Sequence, residues 1–190
     1  MMKNTILILL LSLFFTITLS AQREETLFGK NGFELTGAWG AATYNYSFFD
    51  EDAVYTRGGY GGLEFGNHFF LGYGWFRFRD EVKSQEASAF DMKYNGIMLG
   101  VTPNAYKAIH PRITMLIGGG KVYPETGNSD RVFVFQPSAG LEINVFQWFR
   151  IGAEGGYRLV ANENLPGLSA SDLSSPFAQI DLRFGFSWGR

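Results

Sequence analysis

The chain has 190 residues, of which 18% are charged and 17% aromatic, with 24 glycines, 6 prolines, no cysteine and a formal net charge of -2. That length supports one domain with a sizeable core, and abundant aromatics and glycine with few charges argue for β structure at an interface, not disorder or a coiled coil. The near-neutral charge offers no basic surface for nucleic acid, and the lack of cysteine excludes disulfides, thiol chemistry, thiolate metal sites and a lipidated N-terminus.

Met1 to Ala21 reads as a secretory signal peptide, leaving residues 22–190 as the mature domain. Lys3 supplies the positive n-region, Ile6 to Leu19 the apolar h-region, and Leu19-Ser20-Ala21 the end of the leader. The apolar run is short for a membrane anchor, which needs about twenty residues. Later in the chain no continuous apolar run of helical span follows, so any membrane crossing must be made by strands.

After a polar lead-in from Arg23 to Lys30 and a turn at Asn31-Gly32, period-two alternation begins. Phe33, Leu35, Gly37, Trp39 and Ala41 alternate with Glu34, Thr36, Ala38 and Gly40, and the acidic gap Asp50-Glu51-Asp52 follows. A second strand, Val54 to Phe65, sets Gly59, Gly61, Leu63 and Phe65 against Tyr60, Gly62 and Glu64, and ends in a tight Gly66-Asn67 turn. The third, from His68 to about Arg79, sets Phe69, Leu71, Tyr73 and Trp75 against Gly72 and Gly74. A charged gap from Asp80 to Ser88 precedes the fourth, with Ile97, Leu99 and Val101 outward and Tyr94, Gly96 and Gly100 inward. A short turn from Thr102 leads to the fifth, with Ile113, Met115 and Ile117 against Arg112, Thr114, Gly118 and Gly120. Past the polar gap Pro124 to Asp130, the sixth sets Phe133, Phe135, Ala139, Leu141 and Ile143 against Gln136, Ser138, Gly140, Glu142 and Asn144. After Phe146-Gln147, the seventh sets Phe149, Ile151, Ala153, Tyr157 and Leu159 against Arg150, Gly152, Glu154, Gly156 and Arg158. The gap Ala161 to Ser175 precedes the last strand, where Ala178, Ile180, Leu182, Phe184, Phe186 and Trp188 share one face and Gln179, Asp181, Arg183, Gly185 and Ser187 the other.

The last strand is too long for an ordinary globular domain and suits a tilted membrane crossing of roughly nine to eleven residues. Left as a free edge it would seed aggregation, so pairing with the first strand is the expected escape. The fold class expected is therefore all-β: an eight-stranded antiparallel up-and-down transmembrane β-barrel. Long gaps alternate with short turns, as in barrels with long outer loops and short periplasmic turns, which places both termini in the periplasm. A secreted lipocalin, an eight-stranded barrel with an apolar ligand cavity, is the competing fold, and Gly37-Ala38-Trp39 resembles the Gly-x-Trp of its first strand. The polarity of the faces favours the membrane barrel. Glu34, Glu64, Arg112, Glu142, Arg150, Glu154, Arg158, Asp181 and Arg183 sit among Gly, Ser and Thr on the face opposite the apolar one, which suits a narrow, filled interior with paired charges. Trp39, Tyr73, Trp75, Trp148, Tyr157 and Trp188 suit aromatic girdles.

With these features the chain resembles the small eight-stranded outer-membrane barrels of the OmpA/OmpX type, in the form common in Bacteroidota. The resemblance implies residence in the outer membrane of a Gram-negative bacterium. Arg183, Gly185 and Trp188 in the closing strand are similar to the β-signal read by the barrel assembly machinery, and imply that partner.

The interior charges are expected to form a salt-bridge network, not a pore, because an eight-stranded barrel is just wide enough for side chains to fill. A narrow channel is the alternative. A lipid A-modifying enzyme would need a histidine near the outer rim, whereas His68 and His110 both lie beside short turns, so no catalytic residue, cofactor or metal is expected. Gly118-Gly119-Gly120-Lys121 lacks the spacing of a P-loop. Arg77, Arg79, Lys83, Lys93, Lys121 and Arg131 fall near the outer ends of strands three to six, where they can meet the phosphates of lipopolysaccharide. Outer-membrane lipid and lipopolysaccharide are thus expected partners. The expected role is structural, or contact with an extracellular partner through the outer loops, Ala161 to Ser175 above all.

Overall fold

Strict period-two alternation with short turns produces eight antiparallel strands, each paired with its neighbours in sequence: β1 (Leu35–Phe49), β2 (Asp52–Phe65), β3 (Phe69–Phe78), β4 (Phe90–Val101), β5 (Ile109–Pro124), β6 (Asp130–Phe146), β7 (Phe149–Ala161) and β8 (Ser175–Ser187). The computed structural model describes residues 33–49, 52–82, 89–125, 128–161 and 168–188; the leader 1–21, Asp50, Glu51 and Lys83 lie outside them. The last strand meets the first, from Gly37 opposite Ser187 to Ser47 opposite Phe177, so the sheet closes and no edge is left open. This is the all-β, eight-stranded antiparallel up-and-down barrel expected from the sequence.

One end carries short turns. Between paired Phe65 and Phe69, Gly66 and Asn67 both adopt left-handed backbone (φ 57° and 60°), as the twist of a tight hairpin turn requires, and His68 N donates to Phe65 O at 3.1 Å. The other end carries the two longest connections, β3–β4 and β7–β8, although β1 and β2 meet there through two residues and β4–β5 at the first end is longer than its neighbours. In the last of these a single helical turn, α1 (Ala170–Leu173), starts at a capping box in which Ser169 and Asp172 satisfy each other's backbone N–H groups.

The outward residues of the strands form an apolar wall. Leu63, Leu71, Tyr73, Trp75, Ile97, Ile113, Leu141, Leu159, Ile180 and Phe184 are all exposed along it. In water that surface would be a large aggregation liability, whereas in lipid it is the required face. Tyr73, Trp75, Trp148, Tyr157 and Trp188 stand on it as exposed rings.

The first strand corrects two expectations. A bulge between Leu35 and Gly37 lets Thr36 and Gly37 both point inward, after which odd-numbered residues stay inside. Trp39 is consequently an interior residue, 2% exposed, and not a girdle ring. Glu34 precedes the strand, exposed at the turn-end rim with its carbonyl accepting from Gly66 N at 2.9 Å, and is not part of the interior.

The inside is divided along the barrel. Towards the loop end it is an apolar plug that includes Phe49, Val54, Phe76, Phe78, Phe90, Met92, Val122, Val134 and Val160. Val82, bridged to Phe90 from the β3–β4 connection, and Leu168 and Leu173 from the β7–β8 connection complete this plug. The turn-end half holds the charges.

Candidate functional sites: a filled interior and a basic outer wall

Alternation along β2 and β5–β8 turns eight ionisable groups inward, all nearly excluded from solvent: Glu64, Arg112, Glu142, Arg150, Glu154, Arg158, Asp181 and Arg183. Seven of them join in one network. Arg112 reaches Glu154 at 2.8 Å and Asp181 at 2.9 Å, with Glu142 at 3.8 Å from its Nε. Arg150 spans Glu142 at 3.2 Å and Glu64 at 3.4 Å, and Arg183 donates to Glu142. Four acids face four arginines, so the interior is close to neutral, as burial demands.

Neutral groups saturate the remaining lone pairs. Thr43 and Tyr60 donate to Asp181 at 2.7 and 3.2 Å, Thr114 and Ser138 to Glu154 at 2.8 and 2.6 Å, and Ser187 to Glu64 at 2.6 Å. His110, from the turn-end start of β5, is buried between Lys107 O (2.9 Å from Nδ1) and Glu142 Oε1 (3.1 Å from Nε2), so it belongs to the network and not to the rim. His68 stays exposed at the β2–β3 turn, its Nδ1 3.2 Å from Thr102 O.

The inward faces of β3 and β4 bring no charge to this half. There Trp39, Tyr60, Phe70 and Met98 form an apolar wall, and the guanidinium of Arg150 stacks on Trp39 at 3.8 Å from the ring centroid.

Arg158 stands apart. It lies between the acids and the plug, bonding Gln136 Oε1 at 3.0 Å and Ser47 Oγ at 3.0 Å, and sits near the rings of Tyr94, Phe78 and Phe177. Neutral acceptors and aromatic faces take the place of a carboxylate here. Polar packing below and the plug above leave the barrel filled.

On the outer wall, register brings cations together. Arg57 is opposite Arg77, Arg77 opposite Lys93, Lys93 opposite Lys121, and Lys121 opposite Arg131. All five are exposed and outward, on five consecutive strands β2–β6. Neighbours in such a row have Cβ atoms about 5 Å apart. Four of these residues were singled out from the sequence; Arg57 was not, although it and Arg77 lie symmetrically about Asn67 in the β2–β3 turn. Arg79 is exposed beyond the row at the loop end of β3. Asp91 lies 3.6 Å from Arg77, and Lys93 sits over the Tyr123 ring at 5.1 Å.

In the closing strand, Arg183 points inward to the network, Gly185 packs against Trp39, and Trp188 is exposed with its N–H donating to Thr36 O at 2.6 Å.

No protein-family profile matches the sequence, and neither does any curated protein. Solved structures do match in shape. Neisserial surface protein A aligns with a TM-score of 0.59 at 10% identity, over 79% of this chain and 96% of that one. The N-terminal β-barrel domain of Pseudomonas aeruginosa OprF aligns with a TM-score of 0.55 at 11% identity, over 80% and 98%. The fold is that of the small eight-stranded outer-membrane β-barrels. At such identities the likeness is one of architecture, and the role must be argued from this chain's own residues.

Proposed function

We propose that this protein is an integral outer-membrane barrel of a Gram-negative bacterium that does not conduct, and that serves as a rigid structural anchor displaying its loop end to the outside. The observation that carries this reading is the apolar plug, Phe76, Phe78, Phe90, Met92, Val134 and Leu173 among its residues, stacked on a satisfied ion network. An ion entering from the loop end would have to cross a layer of packed apolar side chains, and one entering from the turn end would have to break buried ion pairs.

Short turns at the end that holds Leu35 and Ser187 support periplasmic termini, with the longer connections facing out to meet an extracellular partner. A non-catalytic role is supported by His110 being held inside by Lys107 O and Glu142 and by His68 lying at the turn end. The closing strand, with Arg183, Gly185 and Trp188, is where the barrel assembly machinery would act.

Planar-bilayer recording tests the reading. Purified protein should give no conductance above that of the empty membrane. Steady, reproducible conductance steps would replace it with the narrow-channel reading.

A further inference from the structure

A sheet gains stability from side chains that pack on it, and glycine weakens a strand interior. Most inward glycines here are explained by crowding; at Gly185, for example, a Cβ would lie 2.7 Å from the Trp39 ring. Gly40 and Gly61 are different. They face each other across β1 and β2 on the outer wall, and a Cβ at either would meet nothing closer than 3.6 and 4.0 Å, an ordinary contact. Sterics do not require glycine at these two positions.

What the pair does is keep a trough open. Its floor is Gly40 with Gly61; one rung towards the loops Ala42 lies beside Gly59, which is buried against the Trp75 ring. On its own rung Phe184 of β8 borders it on one side and Tyr73 of β3, 52% exposed, on the other. Three interstrand spacings separate β8 from β3, leaving about 14 Å between the walls, wider than a single alkyl chain. Tyr44, Arg57 and Arg77 stand two rungs towards the loops from the glycine pair, beyond Trp75, so the trough lies just below the start of the cation row.

The row itself is one-sided. Among the described residues, the outward positions of β7, β8 and β1 are uncharged, whereas every strand from β2 to β6 carries an outward cation. Cations that only snorkel to a rim would have no reason to gather on adjacent strands, where like charges placed opposite one another destabilise the sheet. Asp91 offsets only part of the charge on the row, at Arg77, so the row stays strongly positive and calls for an occupant with several negative charges, while the open glycine pair calls for an acyl chain.

We propose that this face is a binding site for lipopolysaccharide: phosphates of lipid A on the row from Arg57 to Arg131, with an acyl chain in the Gly40–Gly61 trough. The proposal rests on the membrane reading above. A glycerophospholipid diester carries one negative charge on its phosphate and matches one or two of the cations; a lipid with more than one phosphate matches the row.

The test is native mass spectrometry of the full barrel released from nanodiscs, with lipopolysaccharide, phosphatidylglycerol or phosphatidylcholine as the added lipid. Wild type should retain lipopolysaccharide at least tenfold more than phosphatidylglycerol. Arg57→Gln with Arg77→Gln should reduce that retention about tenfold, and so should Gly40→Leu with Gly61→Leu, which fills the trough and leaves the charges alone. Gly155→Leu, an outward glycine on β7 whose Cβ would have 3.8 Å of clearance, should retain lipid as wild type does. A heat-dependent gel shift in every variant shows that the barrel is intact, so lost retention reports the site and not the fold. Equal retention of phosphatidylglycerol and lipopolysaccharide, or unchanged retention in either double variant with the gel shift preserved, would overturn the proposal while leaving the anchor reading in place.

Discussion

Glu142→Gln is the sharpest probe of the interior, because Glu142 is the hub on which His110, Arg112, Arg150 and Arg183 converge. The side chain is fully buried, so water cannot screen the change. The partners would not suffer equally. Arg112 keeps Glu154 and Asp181, and Arg150 keeps Glu64. Arg183 has Glu142 as its ion-pair partner, its Nε already has no hydrogen-bond acceptor, and its other contacts are the rings of Trp39 and Phe70 at 5.3 and 5.6 Å. The substitution thus strands one buried cation, which costs about 3–5 kcal/mol. Adding Arg183→Met removes the stranded charge and should recover on the order of 1–3 kcal/mol, the usual coupling between groups in one network. Asp91→Asn breaks the exposed Arg77 pair and should change stability by no more than about 1 kcal/mol. Guanidinium titrations in detergent micelles, read by tryptophan fluorescence and by gel mobility, measure all three. If Glu142→Gln lies within about 1 kcal/mol of wild type, or if Arg183→Met makes it worse by its full single-variant effect, the network is not coupled as the geometry implies.

The seam and the turn give further expectations. Gly185→Val should prevent closure of β8 on β1, since its Cβ would lie 2.7 Å from the Trp39 ring and 2.8 Å from the Trp39 Cα, and the variant should run as unfolded on an unboiled gel; Gly155→Val should fold normally. Asn67→Ala should lower stability by about 1 kcal/mol in the same titrations, because alanine tolerates the left-handed backbone less readily than asparagine, whereas Asn67→Gly should be close to neutral. Leu173→Ala, at a site 0% exposed in the plug, should cost about 2–5 kcal/mol, with melting of the barrel as the readout.

Much of this fold was legible because a barrel strand writes its two faces into alternate residues. The inward side of β8, with Gln179, Asp181 and Arg183, and the outward side, with Ile180, Leu182 and Phe184, can be read directly. β1 could not be read that way. Its bulge at Thr36 shifts the phase, and the polar inward residues that betray the true face, Thr43, Asn45 and Ser47, lie beyond Ala41, among outward tyrosines. The plug is hidden because the polarity of the faces inverts at the loop ends of β3 and β4: Arg77, Asp91 and Lys93 face out while Phe76, Phe78, Phe90 and Met92 face in, the reverse of the pattern lower on the wall. His110 gave no sign of its burial, because that depends on Glu142 lying directly opposite across β5 and β6. The cation row needs register as well as facing. Arg57 and Arg77 lie symmetrically about Asn67 and could have been matched once the turn was taken as the three residues Gly66-Asn67-His68, but Lys93, Lys121 and Arg131 are tied in through the β3–β4, β4–β5 and β5–β6 connections, whose geometry residue counting does not supply.

The central claim is a closed barrel held in the outer membrane, and the most direct measurement is gel mobility with and without boiling on protein from fractionated cells. The expected result is a band confined to the outer-membrane fraction that migrates differently when unboiled, because the continuous β1–β8 ladder resists detergent until heated. A protein recovered in the soluble periplasmic fraction, with one mobility under both conditions, would contradict the claim and would turn attention to a lipocalin-like ligand binder.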